Sequence, residues 1–372
     1  MKMRKKIVYV VGTRPEIIRS SFIIKRLKED PLVNFKLLHT GQHYSYLLDK
    51  VFFDELQLPP PDINLEIGSK SHVQQISEIM SKAEKFFAHF KPDIVCVFGD
   101  TNSTLAVGLT AAKMNLALCH IEAGFREYEM DLPEEINRLL VDHCANLLIA
   151  LSETQVKNLK AEKVLGAIYN TGDPQYAVFN FYHKSTSMVN LINRLGLKKD
   201  QFILLTLHRD KNVDSINRLI SILKALNKTL TVVFPVHPRT KKQLENLYPN
   251  YLKELPNILF IDPLNYVSLL NVLENATLVV TDSGGLQKEA FWARKICITL
   301  RKNTGWIETV NLGVNFLVNP QDDQLGLKIT NILKDKDKIA KKFINIKNPY
   351  FRKNIIETIV KLIKHYAGRG WS

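Results

Sequence analysis

The sequence predicts an α/β protein of two doubly wound, Rossmann-like domains facing a cleft, and three observations carry that reading. Apolar runs of about five to eight residues alternate with helical patterns almost from end to end, the mark of parallel strands covered on both faces. These runs fall into two series. Between them, Asn170–Lys199 brings Gly172, Pro174, a polar patch and a change of rhythm, which places the hinge there.

In chain order, the first series comprises strands at Lys6–Val11, Phe35–His39, Asp93–Gly99, Ala117–Glu122 and Leu147–Leu151. The second comprises Phe202–His208, Leu230–Val236, Ile258–Ile261, Leu278–Thr281, Ile296–Leu300 and Phe316–Val318. The expected domains are 1–172 and 173–350, with a C-terminal helix in 351–372 packing back on the first. Ile355, Ile356, Ile359, Leu362 and Ile363 stand at helical spacing in that last stretch.

Composition narrows the function. The 372 residues are 45% hydrophobic and 24% charged, which excludes disordered and collagen-like chains. No uncharged apolar run reaches the roughly 18 residues of a membrane helix. The basic Met1–Lys6 precedes only Ile7–Val11, so it reads as the approach to a first strand and not as a signal peptide. Cys96, Cys119, Cys144 and Cys297 are scattered through apolar stretches without a C-x-x-C pair, and read as buried thiols in a reducing cytoplasm. The net charge is +14, yet the lysines spread over helix faces without interleaved aromatics. That pattern fits solvated faces and argues against a nucleic-acid partner.

In doubly wound sheets, ligands bind beyond the carboxyl ends of the strands. After the first strand comes Gly12-Thr13-Arg14-Pro15-Glu16, opening a helix with Ile17, Ile18, Phe22, Ile24 and Leu27 on its expected buried face. Arg14 at the positive end of that helix suits an anion. Three acidic positions follow strands or open helices: Asp100, Glu122, and Glu134 beside Glu135. An Asp after a strand commonly caps the next helix, here Ser103–Met114, and Glu-Glu after Pro is an ordinary first turn. Taken together with strand-end histidines, they resemble an acid–base site. In the second half the strand ends carry His208-Arg209, His237-Pro238-Arg239 and Asp282-Ser283-Gly284-Gly285, followed by Glu289. Ser283, Gly284 and Gly285 form a small-residue turn whose backbone N–H groups suit a phosphate, and Glu289 suits ribose hydroxyls. The dinucleotide fingerprint, the Walker loop, H-E-x-x-H and G-x-S-x-G are missing, and no zinc-type cluster stands out, so neither metal nor cofactor is expected.

In this arrangement the chain resembles the non-hydrolysing UDP-N-acetylglucosamine 2-epimerases, two-domain proteins of glycosyltransferase-B type. The matching motifs are Gly12 to Glu16, Thr40-Gly41-Gln42-His43, Gly99 to Ser103, His120-Ile121-Glu122-Ala123-Gly124, Pro133 to Arg138, His208-Arg209, Val236-His237-Pro238 and Thr281 to Glu289. The resemblance implies reversible inversion at C2 of the sugar, through anti elimination of UDP to a 2-acetamidoglucal and re-addition of UDP, for surface-polysaccharide precursors. It implies that Asp100, Glu122 and Glu134 act at C2 and on the developing ring cation, with His208 near the leaving oxygen. Arg14, His237, Ser283, Gly284, Gly285 and Glu289 would bind UDP. Domain closure would shield the glycal, no NAD would be needed, and the protein would be a cytoplasmic homodimer.

Two departures from the family pattern stand out. His208-Arg209-Asp210-Lys211-Asn212 replaces the usual His-Arg-x-Glu-Asn, in a region which, with Gln42, His43 and Arg209, resembles part of an allosteric UDP-N-acetylglucosamine site in bacterial members. Asn303-Thr304-Gly305-Trp306-Ile307-Glu308 replaces Thr-Glu-Arg-Pro-Glu. Trp306 and Gln287-Lys288-Glu289-Ala290-Phe291 resemble a sister group acting on UDP-2,3-diacetamido-2,3-dideoxyglucuronic acid, the alternative substrate. Hydrolysing relatives and a nucleotide-sugar binding protein that has lost catalysis are the further alternatives.

Overall fold

The computed structural model describes residues 4–42, 53–183, 189–322 and 324–371, the side chains of 189, 190, 210 and 211 excepted. The chain divides into two compact units, Met1–Val178 with Pro349–Ser372, and Phe179–Asn348.

The first unit contains a seven-stranded parallel sheet: β1 (Lys5–Val11), β2 (Val33–His39), β3 (Ile63–Asn64), β4 (Ile94–Phe98), β5 (Ala117–Ile121), β6 (Leu147–Ala150) and β7 (Ala167–Asn170), in the order β3-β2-β1-β4-β5-β6-β7. Its helices are α1 (Arg14–Lys28), α2 (His72–Phe90), α3 (Asn102–Lys113), α4 (Pro133–Cys144) and α5 (Glu153–Ala161), and α6 (Pro174–Tyr182) leads out of it. Strands β1, β4 and β5 are buried on both faces, which is why they read as unbroken apolar runs. The short strands β3 and β7 escaped the sequence reading. The first has two residues, and Ala167–Asn170 is a half-exposed edge with no fully buried side chain to announce it.

The second unit repeats the pattern with six parallel strands: β8 (Phe202–Thr206), β9 (Thr231–Pro235), β10 (Ile258–Ile261), β11 (Leu278–Thr281), β12 (Ile296–Thr299) and β13 (Asn315–Leu317), in the order β10-β9-β8-β11-β12-β13. Around it stand α7 (Val189–Arg194), α8 (Asp210–Val213), α9 (Ile216–Asn227), α10 (Pro238–Leu247), α11 (Tyr251–Glu254), α12 (Tyr266–Asn275), α13 (Gly284–Trp292), α14 (Ile307–Asn311), α15 (Leu325–Lys334) and α16 (Lys336–Lys342). In each sheet the strand order reverses once, between β1 and β4 and between β8 and β11. That reversal opens the crevice where doubly wound sheets take ligands.

Several local expectations are corrected. The buried face of α1 is Ile17, Ser20, Ser21, Ile23, Ile24 and Leu27, while Ile18 and Phe22 are only partly covered, because the helix is rotated to bring Glu16 inward. Thr101, not Asp100, caps α3, accepting from the Thr104 N–H. Cys144 is half-buried at the end of α4, although Cys96, Cys119 and Cys297 are buried as expected and all four are free. Burial pushes the Cys297 thiol up to about 12, so it is protonated and inert near neutrality.

The last helix, α17 (Ile355–Tyr366), starts four residues later than Phe351 because Asn354 at its N-cap is left-handed, φ 57°. It buries Ile355, Ile356, Ile359, Val360 and Ile363, and Lys364 donates to Asp30 at 2.6 Å beside α1. Since Ile359 is fully buried, the Ile359→Ala variant is expected to lose about 2–5 kcal/mol in urea unfolding. Lys364→Ala, which removes a partly exposed pair, is expected to lose less than about 1 kcal/mol.

Candidate functional site

In the first unit the loops after β1, β2 and β4 are knitted together by short hydrogen bonds. Thr40 Oγ1 lies 2.7 Å from Ser103 Oγ, and Gln42 Oε1 accepts from the N–H and the hydroxyl of Ser103 at 3.0 and 2.6 Å. Gly12 sits under them. A Cβ there would stand 2.2 Å from Ser103 Oγ and 2.6 Å from Thr40 Oγ1, so only glycine fits. Glu16 turns back from the first turn of α1 to accept from the Gly12 and Thr13 N–H groups at 2.6 and 3.0 Å and from Thr101 Oγ1 at 2.7 Å. Burial pushes its carboxyl up, with those hydrogen bonds opposing. The Gly12 and Thr13 N–H groups are thus already taken, and Arg14 beside them is half-buried.

Two of the three predicted carboxylates in this unit are held by arginines. Arg19 Nη1 donates to both oxygens of Glu122 at 2.8 Å, and its guanidinium lies 4.9 Å from the centroid of the Phe98 ring. Arg138 donates through Nε and Nη2 to Asp100 Oδ2 at 2.9 and 2.6 Å. Such charge-assisted pairs orient the carboxylates. A Cβ on Gly99 would stand 3.7 Å from Glu122 Oε1, so the Glu122 carboxylate lies over the turn that carries Asp100. Glu122 itself has a left-handed backbone, φ 75°, a conformation that costs a non-glycine residue about 1–3 kcal/mol and persists only when neighbours enforce it. The Glu122 and Ala123 N–H groups enforce it by both donating to the Ile149 carbonyl.

Glu134 is exposed on the first turn of α4. Its neighbour Glu135 turns inward instead, accepting from the Glu127 and Tyr128 N–H groups and pairing with Arg138.

Beneath these loops lies a fully buried polar chain. His120 Nε2 donates to the Gly99 carbonyl at 2.7 Å, and Nδ1 meets Asp142 Oδ1 at 2.6 Å. Asp142 Oδ2 accepts from the Gly124 N–H at 2.9 Å and from Arg126 Nη2 at 2.7 Å. Both ring nitrogens of His120 thus face acceptors, and one side chain ties the Asp100 turn to the Glu122 turn. Burial alone would raise the Asp142 carboxyl, but His120, Arg126 and the Gly124 N–H outweigh it and hold it below the ordinary range.

The second unit presents a different set. Asp282, fully buried after β11, accepts from the His208 N–H at 3.1 Å, the Arg209 N–H at 3.1 Å and Asn212 Nδ2 at 3.0 Å. His208 Nδ1 lies 2.9 Å from Asp282 Oδ1. Burial would raise this carboxyl too; the His208 contact and the N–H donors hold it below the ordinary range. His237 caps α10 with Nδ1, accepting from the Arg239 N–H at 3.3 Å. Ser283 caps α13, and the half-buried Gly284 and Gly285 form its first turn. Glu289 is buried and accepts from the Tyr266 hydroxyl at 2.9 Å. The loop bearing Trp306 is fixed to α13, because Gln287 Oε1 accepts from Thr304 and Asn315 at 2.9 and 3.1 Å. Lys288 is fully buried with Nζ 3.8 Å from the centroid of the Trp306 ring, a cation–π contact.

The model of the UDP-N-acetylglucosamine 2-epimerase family matches residues 25–364. The chain belongs to this family. A UDP-N-acetylglucosamine 2-epimerase homolog of Methanococcus maripaludis is 41% identical over 86% of this chain and 90% of its own length. The UDP-2,3-diacetamido-2,3-dideoxy-D-glucuronate 2-epimerase of Pseudomonas aeruginosa is 38% identical over the same shares. The crystal structure of Methanocaldococcus jannaschii UDP-GlcNAc 2-epimerase in complex with UDP-GlcNAc and UDP superimposes with a TM-score of 0.84 at 37% identity, covering 97% of this chain and 99% of that one.

For an epimerase, the structure adds residues that the sequence reading passed over. Arg19 was hidden inside a helical pattern, and only its Arg14 neighbour drew notice. Arg138 stood within the Pro133 to Arg138 motif without a partner to name. Asp142 gave no signal beyond its charge, and Asp282 was legible only as a strand-end residue of the Thr281 to Glu289 motif, since a buried ion pair is a property of packing. Of the suggested allosteric residues, Gln42 is engaged with Ser103, Arg209 donates its N–H to Asp282, and His43 lies outside the described residues.

The depressed Asp142 carboxyl gives a stability contribution that is complete above its unfolded value of about 3.9 and is lost as pH falls through the lower folded value. Asp142→Asn is expected to destabilise the epimerase by about 3–5 kcal/mol at pH 7, because it leaves Arg126 and His120 short of a buried partner. Thermal melts from pH 7 down to pH 2 are expected to show a shallower acid decline in the variant than in the parent.

Proposed function

We propose that the protein catalyses reversible C2 epimerisation of UDP-N-acetylglucosamine to UDP-N-acetylmannosamine. In this reading the C2 proton leaves to a carboxylate as the C1–O bond breaks, and UDP departs with the bonding pair. A 2-acetamidoglucal remains. UDP oxygen then adds back to C1 while C2 is protonated on the opposite face. The observation that carries the reading is the near full-length likeness to an epimerase solved with UDP-GlcNAc and UDP.

The geometry of each unit supports the assignment of parts. Asp100 and Glu122, held in place by Arg138 and Arg19, serve proton transfer at C2 and stabilise the ring cation, with exposed Glu134 as the third carboxylate. His208 serves the leaving oxygen. The Gly284 and Gly285 N–H groups at the start of α13 suit the diphosphate, and Arg14, His237, Ser283 and Glu289 complete the UDP contacts. Because the His237 Nδ1 accepts a backbone N–H, its neutral ring carries the proton on Nε2 and offers a donor. The first unit then acts as the carboxylate domain and the second as the UDP domain. We place the enzyme in the cytoplasm as a homodimer. No described helix is long and apolar enough to cross a membrane.

Lys288 stacked on Trp306 favours a second reading, C2 epimerisation of UDP-2,3-diacetamido-2,3-dideoxyglucuronic acid, the reaction named for the Pseudomonas relative. Proton NMR in deuterated buffer on each UDP-sugar separates the two. Deuterium at C2 of UDP-N-acetylglucosamine with the manno epimer is the expected outcome, and His208→Ala is expected to slow it by on the order of 100-fold or more. Turnover of the uronic acid alone moves the protein to the second reading. Free sugar without epimer marks a hydrolysing enzyme, and UDP binding without exchange marks a binding protein.

A further inference from the structure

We propose that Asp282 is the positioning residue of His208, and that the two form a carboxylate–imidazole dyad which presents Nε2 of His208 as the proton-transfer atom. The inference rests on the proposed role of His208 at the leaving oxygen.

The dyad spans the strand reversal of the second sheet. His208 follows β8 and Asp282 follows β11, the two strands on either side of that reversal, whose last residues Thr206 and Thr281 are joined through their hydroxyls at 2.6 Å. The Asp282 side chain is wholly buried, whereas that of His208 is 57% exposed. Three N–H donors besides the ring converge on the carboxylate, from His208, Arg209 and Asn212, and Asn212 is anchored in turn on the Leu300 carbonyl at 3.3 Å. With its lone pairs engaged on several sides, the carboxylate has one orientation. The ring that docks on it inherits that orientation.

An ionised carboxylate accepts only, so the proton shared with it belongs to Nδ1 of His208. In the neutral ring Nε2 is then the nitrogen with the lone pair, on a side chain that is 57% exposed. His237, at the end of the neighbouring strand β9, is set the other way. Its Nδ1 accepts from a backbone N–H, which leaves the proton on Nε2. Two strand-end histidines of one sheet therefore carry opposite tautomers, one arranged to exchange a proton and the other to donate a fixed hydrogen bond. Protonated His208 gives its Nε2 proton to the diphosphate oxygen as the C1–O bond breaks, and Nε2 recovers it when that oxygen returns to C1. No further reactant is required. Capping of the His208 and Arg209 N–H groups would alone explain a buried Asp282, but it would not place a ring nitrogen 2.9 Å from the same carboxylate.

Nitrogen NMR of the full chain labelled with 15N-histidine reads the tautomers directly. The expected result is Nδ1–H for neutral His208 and Nε2–H for neutral His237. In Asp282→Asn the amide can donate to Nδ1, so the His208 tautomer reverses, and kcat falls by on the order of 100-fold while KM and the UDP Kd stay within about twofold. Adding His208→Ala to Asp282→Asn is expected to cost nothing beyond His208→Ala alone. An Nε2–H tautomer for His208 in the parent protein overturns the proposal, and that measurement stands even if Asp282→Asn does not fold. Additive losses in the double variant, or UDP affinity falling in step with kcat, show Asp282 to be merely structural. Full activity in His208→Ala overturns the role of His208 and the dyad with it, whereas a slowed but measurable His208→Ala with additive losses in the double variant overturns the dyad alone.

Discussion

Each sheet reverses its strand order once, and the polar architecture of the molecule hangs on those two reversals. Parallel strands buried on both faces leave their side chains no chemistry to do, so function is confined to the loops beyond the carboxyl ends. At a reversal the loops of adjacent strands diverge to opposite faces, and beyond the last paired residues, Thr206 and Thr281 in the second sheet, the ladder no longer sets their register. Side-chain hydrogen bonds take over that task. In the first unit Glu16, after β1, accepts from Thr101, after β4, and next to that crossing His120 ties the Gly99 carbonyl to Asp142 and so to the Glu122 turn; in the second, Asp282 ties the loop after β11 to the one after β8.

The Asp142 and Asp282 sets are buried and ionic, a costly choice. Removing a carboxylate from water is offset only when its acceptor sites are filled with well-placed donors, and a partner lost from such a set leaves an uncompensated charge. Asp142 meets His120, Arg126 and the Gly124 N–H; Asp282 meets His208, Arg209, Asn212 and the His208 ring. Apolar side chains would hold the loops together as well, but they would not dictate which atom of a neighbour faces outward. The left-handed Glu122 belongs to the same logic: its backbone is held in an unfavourable region so that the carboxylate can lie over Gly99 and meet Arg19.

Much of the fold was legible because period and burial are written into composition. The long central strands β1, β4, β5, β8 and β11 announce themselves as apolar runs, and the amphipathic α17 by its isoleucines. The short edges β3 and β7 do not, since a strand of two or four half-exposed residues has no distinct pattern. For the same reason Asp100 was legible as a residue after a strand but not as the partner of Arg138, thirty-eight positions away. Capping preferences could not choose between Asp100 and Thr101; the pull of a buried guanidinium did.

By itself, then, the sequence determined the succession of strands and helices, the two-unit plan and the residue types delivered to the strand ends, because these follow from local periodicity and turn chemistry. Its motifs also carried the family. Only the tertiary structure decided which charges meet: Arg19 on Glu122, Glu135 turned inward while Glu134 faces out, and Asp282 beneath His208. Such pairings depend on the relative height and rotation of elements far apart in the chain. They are set by the packing of whole layers and by the energetic demand that every buried charge find a partner, and no short stretch of sequence contains either.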